Sequence, residues 1–155
     1  MIIRQLLVLL SSLFLFSPSS LANENVLILV DKTTRLEIPV ESVRQQADLE
    51  FIIFEPFRGR QVTIRGLFLE QLLQKHLSRV PEKIRLTAHD EYEMVFANWK
   101  SNHWVVVTHE DGKPLSLRNQ GPLRLIERHY QGRDPENLRD FNDWVWMLQT
   151  IAAVP

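Results

Sequence analysis

Cysteine is absent from all 155 residues. That absence excludes disulfides, a thiolate metal site and a cysteine nucleophile together. An excess of charge of one sign is also lacking: 18 Lys and Arg stand against 19 Asp and Glu, a formal net charge of −1. Interspersed, nearly balanced charge leaves no electrostatic footprint for nucleic acid or for an anionic membrane surface. No internal repeat and no low-complexity linker divides the chain. What is present is 45% hydrophobic and 24% charged sequence, ordinary for one globular domain with a real core.

The first 22 residues differ from the rest. They carry one charge, Arg4, then an apolar run from Leu6 to Phe16 and a small-residue exit at Ser20-Leu21-Ala22. The pattern predicts a secretory signal peptide over residues 1–22, cleaved after Ala22. The apolar run is short for a bilayer core of about 30 Å, so a retained membrane anchor is the weaker reading. No cysteine stands near the cleavage point to accept a lipid. Loss of Arg4 leaves 17 basic residues against 19 acidic, a net charge of −2.

Residues 23–155 read as one α+β domain. Val26–Val30 predicts a short buried strand, and Leu36, Ile38 and Val40 alternate with polar neighbours as a half-buried strand does. Leu49–Phe54 and Gln61–Arg65 predict strands around a loop with Pro56 and Gly59. From Leu67 to Leu77 the period becomes helical, with Phe68, Leu72 and His76 in one row and Leu69, Leu73 and Leu77 in the next. Lys83–Ala88, Tyr92–Phe96 and His103–His109 follow as strands, the last entering a turn at Glu110-Asp111-Gly112-Lys113. Asp134–Phe141 predicts a loop or short helix. Asp143–Ile151 predicts a closing strand with Trp144 and Trp146 on one face.

The stretch Asp111–Ile126 concentrates the most information. Between apolar runs it places a turn, Pro114, the pair Gly121-Pro122 and two arginines, Arg118 and Arg124. Glycine opens backbone conformations closed to other residues, proline fixes φ, and each guanidinium offers five donors to a planar or anionic partner. The same punctuation also fits a rigid connection with both arginines solvated.

Its company along the chain gives it a family likeness. With Trp144-Val145-Trp146-Met147-Leu148 it resembles the C-terminal half of the sulfite-oxidase-type molybdopterin-binding domain in its short, stand-alone periplasmic form. Ile64–Leu73 resembles the family's strand–Gly–helix element, and Ala88-His89-Asp90-Glu91-Tyr92 its Ala-x-Asn-Asp-Tyr segment. The likeness spans Val26 to Ile151 and rests on order and spacing. It implies a mixed sheet with few helices, periplasmic location and a pterin as ligand. For the short secreted members it also implies a partner, the periplasmic domain of a transmembrane cyclic-di-GMP signalling enzyme. Redox-active members hold molybdenum through a cysteine sulfur that this chain lacks, so molybdopterin and molybdenum are disfavoured as cofactors. The expected role is that of a binding protein rather than an oxidoreductase. A molybdopterin-dependent oxidoreductase and a ligand-independent interaction module are the alternatives.

A pterin ring asks for flat faces and, along its 2-amino and N3–H edge, for a carboxylate acceptor. Asp90 and Glu91, at a strand end beside Tyr92, supply that acceptor or stand as a solvated turn. Phe57, after Pro56, covers a ring face or plugs the edge of the core. Arg118 and Arg124, flanking Gly121-Pro122, would hold the ring carbonyl or a side chain. Core packing is the expected role for at least two of the four tryptophans, and Trp99 is the one kept as a candidate site residue.

Other chemistries find little support. His103 and His109 lie about 20 Å apart at strand rise, too far to share a metal, and His89 and His129 have no neighbouring ligand pattern. Ser116 lacks a nucleophile elbow, and the side chains of Asp90 and Glu91 would diverge on a strand.

Overall fold

The structure, a computed structural model, describes residues 25–97, 99–100 and 103–155. The predicted signal peptide lies outside the described residues. Among those described, no helix is long and apolar enough to cross a membrane.

Among the described residues, ten strands and two short helices follow in the order β1 (Val26–Asp31), β2 (Thr34–Pro39), α1 (Val40–Gln45), β3 (Leu49–Glu55), β4 (Arg60–Phe68), α2 (Leu69–His76), β5 (Lys83–Ala88), β6 (Glu93–Ala97), β7 (Trp104–Glu110), β8 (Lys113–Pro114), β9 (Arg124–Glu127) and β10 (Leu148–Ala153). Two further 3-10 turns cover Leu117–Asn119 and Leu138–Phe141. The strands form two sheets. One runs β2-β1-β10-β5-β6 and is mixed, because β1 and β10 are parallel while its other pairs are antiparallel. The other runs β3-β4-β7, with β8 and β9 both on the far side of β7, and is antiparallel.

Period-2 alternation drives most of these strands. In β4, Val62 and Ile64 are buried while Gln61 and Arg65 face out; in β5, Ile84 and Leu86 are buried against exposed Lys83 and Arg85. Residues of β7 from Trp104 to Thr108 are buried without alternation, as expected of a central strand covered on both faces. Helix α2 adds Leu69, Leu72 and Leu73 to the core.

Three expectations differ from what is found. Helix α2 begins at Leu69, not Leu67, because Gly66, Leu67 and Phe68 pair with Val107, Val106 and Val105 and continue β4. Val40 opens α1 instead of ending a strand; the helix has only Val40 and Val43 as buried positions, too few for a visible period. Residues 143–147 are not strand. Within them Val145 alone bridges Leu125, Met147 takes a φ of 52°, and β10 starts at Leu148.

Candidate functional site

Three irregular segments meet over the edge of the core. The first is the 55–59 turn. The carbonyl of Glu55 accepts the N–H of Arg58 and of Gly59 at 3.1 and 2.9 Å, and its Oε2 accepts Arg58 N–H again at 2.6 Å. Phe57 is thereby held out from the turn. The second is the β5–β6 connection, where Asp90 Oδ1 accepts the N–H of Tyr92 at 3.2 Å and Glu91 takes a left-handed φ of 69°. The third, residues 133–147, is pinned by Arg133. Its guanidinium grips Asp143 with two bonds of 2.5 and 2.7 Å, donates to the carbonyl of Asp140, and pairs with Glu127 at 2.8 Å.

These segments enclose a cleft of about 400 Å³ lined by Phe57, Asp90, Tyr92, Phe141, Asn142, Trp144 and Trp146. Its aromatic walls pack edge to face. Phe57 and Trp146 meet at 4.4 Å between ring centroids and 90°, and Phe141 and Trp144 at 5.0 Å and 74°. Tyr130 stands behind them, 5.0 Å from Phe141, and donates its hydroxyl to the Phe54 carbonyl of β3 at 2.7 Å. Tyr92 ties the second segment to the third by donating to the carbonyl of Asn142 at 2.8 Å. Asp90 is exposed and is the single charged residue of the lining. The indole N–H groups of Trp144 and Trp146 are shielded from solvent and have no hydrogen-bond partner. An unmet buried donor of this kind costs about 1–3 kcal/mol.

The residues singled out from sequence separate into several places. Phe57, Asp90 and Tyr92 come together in the cleft. Glu91 occupies the left-handed position of the same turn, exposed, and does not line it. Trp99 is 2% exposed, packed in the core. Arg118 and Pro122 line a different hollow, and Gly121 packs against Leu115 behind it.

Arg124 is fully buried. Its Nη2 donates to Glu55 at 2.7 Å and its Nη1 to Glu110 at 2.9 Å, so its charge is committed within the protein. Burial pulls its pKa below the ordinary arginine value, while the two carboxylates act the other way. Through Glu55 it fixes the turn that carries Phe57, a structural contact in place of the direct ligand contact expected. Phe141, Asn142, Trp144 and Trp146 were missed. Both tryptophans are conspicuous in the sequence, but reading residues 143–147 as strand assigned them to the core. Asn142 carries no sequence signal.

No family model matches the chain, and no curated protein matches it. A solved structure does: the sulfane dehydrogenase SoxCD from Paracoccus pantotrophus, with a TM-score of 0.54 and 11% identity. The fold is of the sulfite-oxidase type. The match covers 83% of this chain and 38% of that one, so the chain spans well under half the length of its structural neighbour. At this identity the likeness concerns the backbone alone.

A sulfite-oxidase-type fold raises the question of a molybdenum cofactor, and the lining answers it by donor chemistry. The cleft offers one carboxylate, one amide and aromatic rings, with no thiolate and no imidazole. Soft ligation of molybdenum has no donor there. It also offers no arginine or lysine to face a cofactor phosphate. Among the described residues no group of three His, Asp or Glu is placed to hold a metal ion. His103 and His129 do meet, 5.5 Å between ring centroids, but as a pair. The lining does not supply the donors that a metal-bearing phosphorylated cofactor needs.

Proposed function

We propose that this chain is a periplasmic pterin-binding protein, with the aromatic cleft as its ligand site. The observation that carries the reading is the placement of one exposed carboxylate, Asp90, in a cleft walled by Phe57, Tyr92, Phe141, Trp144 and Trp146. A pterin presents the complementary set: donors along its 2-amino and N3–H edge, ring nitrogens and a carbonyl as acceptors, and two flat faces. Asp90 would take the donor edge, while the rings of Trp144 and Trp146 would wall the site. Phe57 and Tyr92 would bound the ring.

With no group placed for redox or nucleophilic chemistry in the cleft, occupancy acts through differential affinity for a partner. The partner we infer is the periplasmic domain of a membrane-bound cyclic-di-GMP cyclase or phosphodiesterase. Phe57 sits on a turn whose next residue, Arg58, bonds Glu110 at 3.1 Å and the Asn119 carbonyl at 3.4 Å. Ligand contact with Phe57 would be felt at that surface.

Titrating pterin and 6-substituted pterins into the purified protein tests the site. Quenching of tryptophan fluorescence and a rise in Tm are expected. Asp90→Asn should weaken binding about 10- to 100-fold, the equivalent of losing one charge-assisted hydrogen bond of about 1.5–3 kcal/mol. Because Asp90 is exposed, its unliganded Tm should stay near that of the wild type. Equal affinity in both proteins would remove Asp90 from the site.

A further inference from the structure

Arg118 and Pro122 belong to a second hollow of about 380 Å³, lined also by Asn25, Arg44, Leu115, Ser116 and Leu117. It shares no lining residue with the aromatic cleft, and no carboxylate lines it. Arg44, from the last turn of α1, donates its Nη2 to the carbonyl of Leu115 at 2.9 Å. Its acidic neighbour is Glu41, 3.5 Å from Nη1 with a side chain 67% exposed, a solvated pairing of small strength. The Nε of Arg44 is shielded and has no partner. Arg118, exposed on the 117–119 turn, has no hydrogen bond or ion pair among the described residues.

The wall between the two arginines is rigid. Gly121 donates its N–H to the Ser116 carbonyl at 2.8 Å, and Leu115 donates to the Thr108 carbonyl of β7 at 2.9 Å. The two strands of this loop are so close that a Cβ on Gly121 would fall 2.6 Å from the Leu115 Cβ. Behind Arg44 lies a further hollow of about 330 Å³ containing Arg65 and His109. Burial first, then Arg65 and Arg44, holds His109 below the ordinary histidine pKa, with Glu41 opposing weakly. Three guanidinium groups therefore crowd this side of the molecule with Glu41 as the acid beside them.

From this geometry we propose that the Arg44–Arg118 hollow binds the phosphate of a small organic phosphate ester. The unpaired fork of Arg118 and the positive charge of Arg44 are suited to its oxygens. Leu115, Leu117 and Pro122 supply an apolar wall for the esterified group. The phosphate is either that of a soluble ester or that of a phospholipid headgroup, and this site is independent of the pterin reading.

Two arms of one experiment distinguish the sources. Glycerol phosphate is titrated into the purified protein at matched ionic strength, with the His109 ring followed by NMR, and the protein is separately co-sedimented with phosphatidylglycerol vesicles. Saturable binding in either arm, at least about tenfold weaker in Arg118→Gln, is the expected result. In the soluble arm His109 should titrate at higher pH when phosphate is bound, because the anion offsets Arg44. Arg118 is exposed and unpaired, so this substitution leaves the fold intact, whereas Arg44→Gln also removes the bond to Leu115. Absence of saturable binding in both arms, or binding that Arg118→Gln leaves unchanged, would overturn the proposal.

Discussion

Arg124 shows how far one side chain's role depends on its burial. In sequence it is a loop arginine beside Gly121-Pro122; in the structure it joins β3, β7 and β9 by bonding Glu55 and Glu110. Arg124→Met would strand the Glu55 carboxylate, itself fully buried, without its countercharge. We expect a loss of about 3–5 kcal/mol in urea unfolding, and a smaller loss in the Arg124→Met, Glu55→Gln double variant. A loss equal to the sum of the single changes would show that the two do not act as a pair. His109 gives a pH dependence. Its folded pKa is lowered, so the folded state binds the proton more weakly than the unfolded state does. Stability should therefore fall as pH drops below about 6.5 and level off once the folded pKa is passed. His76, lowered by burial and Lys75, acts in the same direction, whereas Glu127, raised by burial, acts against it. The comparison with His109→Gln isolates one group: its Tm should fall less than that of the wild type between about pH 7.5 and 5.5. Equal slopes would assign the effect elsewhere.

At the scale of elements, strands with clean alternation were legible and irregular segments were not. β4 and β5 could be read because apolar residues alternate with polar or charged ones on the solvent side. Residues 143–147 misled because Trp-Val-Trp has β propensity, while hydrogen bonds from outside decide the path. Met147 N–H goes to the Gln120 carbonyl and Leu125 exchanges two bonds with Val145, contacts that no local pattern contains. Two of the seven residues lining the cleft, Trp144 and Trp146, lie on that segment, which is why sequence reasoning singled out Phe57, Asp90 and Tyr92 but not these two. Gly66 was visible as part of a strand–Gly–helix element, and the structure supplies its reason. It sits at a register shift between β4 and β7, where a Cβ would collide with the Val106 carbonyl oxygen. Backbone cannot yield as a side chain tip can, so Gly66→Ala should cost about 1–3 kcal/mol and lower Tm accordingly. An unchanged Tm would mean the ladder relaxes at no cost.

For the whole molecule, the order of segments carried more than any one of them. The α+β architecture and the sulfite-oxidase-type fold were readable from the sequence of strand–Gly–helix, Ala88–Tyr92 and Gly121–Arg124 elements, and the SoxCD likeness agrees at the level of backbone. The missing cysteine, also plain in the sequence, is matched by a cleft without soft donors or cations. The site reading was only partly available, because Arg118 and Arg124 of the Asp111–Ile126 stretch, expected to hold one ligand together, are divided between a separate arginine hollow and a buried ion pair. A ligand that binds only the folded state adds about 2.7 kcal/mol at a hundredfold excess over Kd. For a domain of this size that corresponds to a Tm rise on the order of 8 °C. The most direct measurement is to purify the protein from the cells that make it, denature it, and identify the released small molecule by fluorescence and mass. A pterin near one equivalent, absent from the Asp90→Asn protein, is the predicted result. No released pterin, together with no gain in Tm from added pterins, would contradict the assignment.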